Sequence, residues 1–280
     1  MSFKTIMVSL NDVTRAGEVT NVACQLATRH DAHLIGLFVI PVMPVYPAPG
    51  AYVLPELIEN YEASFAERGE KAKSIFEKVT AGYELQIEWR LVHDGTSIVA
   101  NGVIEHGHQA DLVVIGQVDP DNYEGVELDF ADRVVMETGR PVILVPMSGQ
   151  FKTIGDRVVV GWNATSEAAR AALDAAPLLA EASEVWLTWV DPQRTPDIAG
   201  QFPGSEMAST LARHGVKVAT DPVPADGLSV GDVLLNRVSD HSADLLVVGA
   251  YGHSRMREFV FGGVTNTLLK HMTVPVLMSH

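Results

Sequence analysis

The sequence is poor in cysteine and in basic residues. It has one cysteine in 280 residues, so no disulfide can form within the chain. It has 20 Lys and Arg against 35 Asp and Glu, which gives a formal net charge of −15. Nucleic acids are bound by clustered cations, and anionic membrane surfaces repel negative charge, so we expect neither of them as a partner.

Long hydrophobic runs are missing as well. No apolar run reaches the ~18 residues that a bilayer-spanning helix needs. The apolar stretch 5–10 is too short for a signal peptide and gives way at once to Asn11 and Asp12. Cys24 lies among apolar residues of a predicted helix, which favours a buried small hydrophobe over a reactive thiol. We therefore expect a cytoplasmic protein.

Familiar catalytic motifs are also missing. The sequence holds no Gly-x4-Gly-Lys-Ser/Thr, no Gly-x-Gly-x-x-Gly after a strand and no His-Glu-x-x-His. The residues Gly252-His253-Ser254 begin like a nucleophile elbow, but Met256 stands where the second glycine should be. The stretch 106–108 has two histidines, which form a candidate metal pair but are more typical of a helix end. We predict no catalytic residue and no metal site.

An internal repeat is what the sequence does contain. Four strand-like segments occur twice, in the same order. The matched pairs are 6–11 with 158–163, 32–39 with 183–190, 110–116 with 243–249, and 140–145 with 274–279. The chain is therefore predicted to be two copies of one domain, residues 1–148 and 153–280.

Apolar strands alternate with amphipathic helices within each copy. In the first copy the pattern predicts helices over 14–30, 57–80 and 97–106. In the second, Thr165 or Ser166 is expected to cap a helix that runs to about residue 182 and is kinked by Pro177. Strand-helix alternation of this kind predicts an α/β fold with a parallel, doubly wound sheet.

A glycine-rich stretch follows the fourth strand of the second copy. Residues 245–248 form a short apolar run that Gly249 ends, and Gly252 permits a tight turn. Gly262 and Gly263 then precede a predicted helix over 264–271. The unpaired N–H groups and the dipole of a helix start favour an anion, so strand, glycine loop and helix together predict a phosphate cradle.

The spacing of this stretch resembles the nucleotide loop of the universal stress protein family, Gly-x2-Gly-x9-Gly-Ser/Thr. Gly249, Gly252 and Gly262 match it, whereas Gly263 replaces the usual hydroxyl residue and Thr265 falls where many members have a second one. The resemblance covers the whole chain. It implies two Rossmann-like domains of the adenine nucleotide alpha hydrolase type, each an open five-stranded parallel sheet with helices on both faces. The last strands of the two domains would pair.

The same resemblance implies where a nucleotide would lie. Asn163 occupies the position of a usual Asp that contacts the nucleoside, and Val190 the position that holds adenine; the other interpretation of Asn163 is a turn or helix cap. His253 and Arg255 would face phosphate or belong to a solvated loop. The predicted site is Trp162, Asn163, Thr165, Val190, Val248, Gly249, Gly252, His253, Arg255, Gly262, Gly263, Val264 and Thr265.

The equivalent loop of the first copy is acidic. Five carboxylates lie between Asp119 and Asp129, which would repel phosphate. We therefore expect one ATP or AMP per chain, with or without Mg2+, in the second copy. The family resemblance implies a stress-response sensor, a homodimer and a protein partner of unknown identity. The alternatives are a slow ATP hydrolase using His253 or Arg255, and a protein-interaction module that binds no nucleotide.

Overall fold

The structure is a computed structural model that describes residues 2–44, 54–93, 95–122, 126–192, 204–252 and 263–280. The described chain divides into two compact units, one formed by Phe3–Thr138 and one that contains Gly139–His280. The limits of the two sequence copies, 1–148 and 153–280, stay predictions.

The first unit is a parallel α/β layer. Its strands have the order β3-β2-β1-β4, and all of their pairings are parallel. Its elements are β1 (Thr5–Ser9), α1 (Ala16–His30), β2 (His33–Ile40), α2 (Pro55–Thr80), β3 (Ile87–His93), α3 (Val99–Gly107), β4 (Leu112–Gly116) and α4 (Phe130–Glu137).

The second unit contains the predicted five-stranded parallel sheet, in the order β10-β9-β6-β7-β8. Strand β5 adds to β10 in the antiparallel sense, with Leu144 opposite Val276, so the expected pairing of the last strands is confirmed. The elements are β5 (Val142–Val145), β6 (Arg157–Gly161), α5 (Ser166–Asp174), α6 (Ala176–Leu179), β7 (Glu184–Val190), α7 (Ser205–Arg213), β8 (Val218–Val223), α8 (Val230–Asp240), β9 (Leu245–Gly249), α9 (Gly263–His271) and β10 (Val276–Ser279).

One aspartate in each copy ties together the beginnings of two neighbouring strands. Asp111 accepts hydrogen bonds from the backbone N–H groups of residues 4 and 5, at 2.7 and 3.0 Å. Asp244 does the same for residues 156 and 157, at 3.0 and 3.1 Å. Both aspartates precede a buried apolar strand, so the repeat seen in the sequence is also a repeat of this contact.

Two helices differ from the sequence prediction. The helix expected to run to about residue 182 is interrupted: α5 ends at Asp174, and Pro177 stands in the first turn of α6, where its missing N–H breaks no hydrogen bond. Helix α4 is not among the predicted elements, because it is short and follows the acidic loop without a side-chain cap. Cys24 is buried as expected, and burial raises the pKa of its thiol to about 12.

Candidate functional site

The sheet of the second unit has a switch point between β6 and β9. The chain goes from β6 outward to β7 and β8 on one side, and from β9 to β10 on the other. In open α/β sheets the loops diverge at such a point and leave a crevice beyond the carboxyl ends of the strands. Topology alone therefore places a ligand crevice where β6 and β9 end.

A cavity of about 400 Å³ lies at this crevice, within the size range of small-molecule sites. Every described residue of the predicted site lines it. These residues are Trp162, Asn163, Thr165, Val190, Val248, Gly249, Gly252, Gly263, Val264 and Thr265. The other three, His253, Arg255 and Gly262, lie outside the described residues. Which of these side chains contact a ligand stays a prediction.

The loop after β6 is closed by its own hydrogen bonds. The Asn163 Oδ1 atom accepts from the backbone N–H of Thr165 at 3.2 Å and from its hydroxyl at 2.8 Å. The Thr165 Oγ1 atom in turn accepts from the backbone N–H of Ala168 at 3.3 Å, which caps α5. Asn163 thus closes a turn, and it also lines the cavity, so the two interpretations of this residue do not exclude each other.

Gly249 has a structural role that the sequence does not reveal. A Cβ atom at Gly249 would lie 2.4 Å from the backbone nitrogen of Ala168 and 2.4 Å from the carbonyl carbon of Glu167. Side chains are therefore excluded by the first turn of α5, independently of any ligand. This contact also brings Glu167, which the sequence prediction omitted, into the cavity lining.

The two other described glycines of the loop are unconstrained in this way. Among the described residues, a Cβ at Gly252 would meet only the Glu167 Oε2 atom at 3.7 Å, and a Cβ at Gly263 would meet nothing within 4 Å. Neither glycine has a φ in the left-handed region. No described residue therefore excludes a side chain at either glycine, and both glycines line the cavity.

Tyr251 is a second lining residue that sequence reasoning missed. It is buried and has φ 56, a conformation that bulky side chains rarely adopt. Its N–H donates to the Thr265 Oγ1 atom at 3.4 Å, and the His280 Nδ1–H donates to the neighbouring Ala250 carbonyl at 3.0 Å. Ala250 and Tyr251 are thus held by His280 and by Thr265 of α9.

An ion pair between Arg237 and Asp221 is hydrogen-bonded to Thr188, a residue of the cavity lining. Thr188 lines the cavity, and its hydroxyl donates to Asp221 on the edge strand β8 at 2.8 Å. Arg237 of α8 donates to both oxygens of Asp221, at 2.6 and 2.9 Å. Burial alone would raise the pKa of the Asp221 carboxyl, but the hydrogen bonds from Arg237 and Thr188 and the charge of Arg237 outweigh it and lower the pKa.

Comparison with known proteins agrees with this architecture. Residues 155–280 match the model of the Universal stress protein family. A curated universal stress protein of Synechocystis sp. is 26% identical over 151 residues, which is 52% of this chain and 49% of that protein. The chain thus spans about half the length of that relative.

Solved structures extend the similarity to the whole chain at the level of the fold. A universal stress protein from Archaeoglobus fulgidus has a TM-score of 0.72 at 14% identity, covering 98% of this chain and 97% of that chain. Another structure from the same organism is a universal stress protein in complex with dAMP. Its TM-score is 0.34 at 21% identity, covering 51% of this chain and 98% of that one.

Residues 155–280, which match the family model, include every described residue that lines the cavity. In the first copy, the ends of β1 and β4 enclose only about 20 Å³, lined by Asp12, Arg15, Phe130 and other residues. Glu127 of the acidic loop accepts a hydrogen bond from the backbone N–H of Val99, at the start of α3, at 2.5 Å. The acidic loop therefore contributes a carboxylate to a helix start of its own copy.

The described part of the chain contains neither a candidate metal site nor a candidate membrane-spanning helix. No group of three or more His, Cys, Asp or Glu side chains there could hold a metal ion. His106 and His108 lie at the end of α3, where the His108 Nε2 atom contacts the Glu137 carbonyl at 3.3 Å. Among the helices with described residues, none is long and apolar enough to cross a membrane.

Proposed function

We propose that the protein binds an adenine nucleotide in the cavity of the universal stress protein region. The observation that carries this proposal is the convergence of three helix starts on one cavity. Thr165 at α5, Val230 at α8 and Gly263 at α9 all line it. Helix starts carry partial positive charge and unpaired N–H groups, so their convergence in an acidic protein favours an anionic ligand.

The cavity has two chemically different ends. On the β9 side are the glycine loop and the start of α9, where Gly252 and Gly263 leave the backbone open. At the end of β7 is Val190, and α8 adds Val230 and Leu234 to the lining, with Leu234 beside Gly161 and Val248. Phosphates suit the glycine-rich side, and a flat apolar base suits the apolar lining at Val190, which is the division that a nucleotide requires.

Charge and room both favour one nucleotide per chain. Residues 1–150 contain 10 basic and 21 acidic residues, a formal charge of −11, against 10 and 14, a formal −4, in residues 151–280. The small cavity of the first copy measures about 20 Å³, against about 400 Å³ for the cavity of the second copy. We expect the first copy to serve as a structural partner without nucleotide.

The biological role follows from the family of the matched region. We propose a cytoplasmic stress-response protein in which ATP or AMP, with or without Mg2+, acts as a signal and not as a metabolic substrate. A homodimer and a further protein partner remain part of this proposal. Turnover would be slow at most, because the sequence contains no familiar catalytic motif.

Titration calorimetry of the full chain with ATP and with AMP tests the proposal. We expect one site per chain for the wild type and a loss of about a hundredfold or more in affinity for Gly252→Val, since the added methyl groups project into the cavity. The melting temperature of the ligand-free variant should fall by only a few degrees, because Gly252 is not constrained by its neighbours. Two equivalent sites, or unchanged affinity in a folded Gly252→Val protein, would contradict the proposal.

A further inference from the structure

The loop after β6 contains a chain of hydrogen bonds with a fixed direction. The backbone N–H of Ala168 donates to the hydroxyl of Thr165, and that hydroxyl donates to the Oδ1 atom of Asn163. The backbone N–H of Thr165 donates to the same Oδ1 atom. Because a backbone N–H can only donate, the atom of the Asn163 amide that faces it must be the oxygen, which fixes the orientation of the amide.

This chain determines which group is left for a ligand. The hydroxyl proton of Thr165 is engaged, and the carbonyl oxygen of Asn163 already accepts two hydrogen bonds. The Nδ2 atom of Asn163 makes no hydrogen bond with any residue whose position is described, and Asn163 is an exposed residue of the cavity lining. The Asn163 side chain therefore offers a ligand N–H donors, while its oxygen already accepts two hydrogen bonds.

The order of the strands indicates which part of a nucleotide faces these donors. Strand β6 lies between β9, whose loop is at the phosphate end, and β7, whose Val190 is at the base end. Asn163 follows β6, so it lies between the two ends. The ribose connects base and phosphate, and it therefore falls opposite Asn163.

We propose that Asn163 makes the site selective for nucleotides whose ribose carries a phosphate ester on its 2′ or 3′ oxygen. This inference rests on the proposed function, because it concerns the same cavity. A phosphate ester only accepts, and its negative charge strengthens a bond from the Nδ2 donors. A free ribose hydroxyl gives only a neutral bond. A carboxylate in place of Asn163 would reverse the preference, since it accepts from a hydroxyl and repels phosphate.

The experiment compares three ligands on the full chain by calorimetry: AMP, adenosine 2′,5′-bisphosphate and adenosine 3′,5′-bisphosphate. In the wild type we expect one bisphosphate to bind about tenfold more tightly than AMP, the difference between a charge-assisted and a neutral hydrogen bond. In Asn163→Asp, AMP should bind more tightly than either bisphosphate. The aspartate retains the oxygen that accepts from Thr165, so the turn is preserved.

A matched variant separates local chemistry from total charge. Ser166→Asp adds the same charge at the exposed first residue of α5, outside the cavity lining, and should retain the wild-type preference. Wild-type protein that binds AMP but prefers neither bisphosphate overturns the inference and leaves the proposed function intact. The inference is likewise overturned, and the proposed function left intact, if Asn163→Asp and Ser166→Asp show the same preference between AMP and the bisphosphates. If neither AMP nor a bisphosphate binds, both proposals fall.

Discussion

The two copies differ most in the loops that follow their strands. In the second copy a non-glycine residue with left-handed φ lies in the loop after each of β6, β7, β8 and β9; these are Ala164, Asp191, Asp226 and Tyr251, with φ from 48 to 60. In the described parts of the corresponding loops of the first copy, no non-glycine residue has such a φ. Each left-handed residue costs about 1–2 kcal/mol. Two of these strained residues, Ala164 and Tyr251, belong to loops that line the large cavity, and backbone strain of this kind is typical of functional sites.

The helix starts show the same contrast. The start of α8, beside the large cavity, is capped within its own turn by Ser229, which accepts from the backbone N–H of Asp232 at 3.2 Å. The start of α3 has no cap from the preceding residue and receives Glu127 from the distant acidic loop. In the first copy, side chains of the same copy occupy the space beyond the strand ends. In the second copy this space is open, and the loops beside it contain residues with a strained backbone.

The largest effect is expected from the glycine that ends the fourth strand of each copy. Gly249→Ala should lower the free energy of unfolding by about 3 kcal/mol or more, because its Cβ would overlap backbone atoms of α5, which cannot move like a side chain. The matched control is Gly116→Ala, whose Cβ would lie 3.5 Å from a methyl group of Val19 and should change stability by less than about 1 kcal/mol. Urea unfolding of both variants measures the difference. Equal losses would show that the two copies do not differ at this position.

A smaller effect, on affinity, is expected at the start of α9. Gly263→Ser should increase nucleotide affinity by about tenfold, because a hydroxyl there adds one donor to a charged phosphate. No described residue lies within 4 Å of a Cβ at this position, and its φ is not left-handed, so we expect serine to fit without strain. Gly263→Ala serves as the control for helix propensity and should leave affinity unchanged in calorimetry. A folded Gly263→Ser protein with weaker binding would refute the phosphate placement.

The smallest effect concerns an ion pair of the edge strand in each copy. Asp221→Asn should lower the free energy of unfolding at pH 7 by about 1–2 kcal/mol, because two bonds from Arg237 lose their charged acceptor. Glu88→Gln should lower it by less than about 0.5 kcal/mol, since its pairing with Arg90 is more exposed and screened. Chemical unfolding of the two variants gives both numbers.

The pH dependence of the Asp221 effect has a defined sign. The pKa of Asp221 is lowered in the folded protein, so its stabilisation is complete above the unfolded pKa of about 4 and is lost as the pH falls through the lower folded value. The difference between wild type and Asp221→Asn should therefore shrink below about pH 4. A difference that grows on acidification would show that Asp221 is not held ionised.

Much of the fold could be predicted because its determinants are local and repeated. The buried runs at 112–116 and 245–249 are nearly identical in pattern, and both proved to be strands beginning next to the aspartate that ties them. The interruption at Ala175 was harder to predict, since a proline suits either a kinked helix or the first turn of a new one.

The lining of the cavity was predictable where the spacing of residues along the sequence determines it, and not where a contact between distant segments does. The glycine spacing and the residues after β6 led to the lining that the structure describes. Glu167 was missed, because only the approach of α5 to Gly249 brings it there. Tyr251 was missed because a bulky residue is not expected at positive φ. The signal for Glu167 was its place in the first turn after the cap Thr165.

The antiparallel pairing of β5 with β10 has a consequence for how such proteins are assembled. The family match begins at residue 155 and so omits β5, yet the described β10 has β5 on one side and β9 on the other. A single domain lacking β5 would present an apolar unpaired edge, which invites pairing with a second molecule. Because β5 belongs to the same chain as β10, this pairing is intramolecular. The fraction of molecules in which β10 is paired then depends on the length of the segment between β5 and β10, and not on the concentration of the protein in the cell.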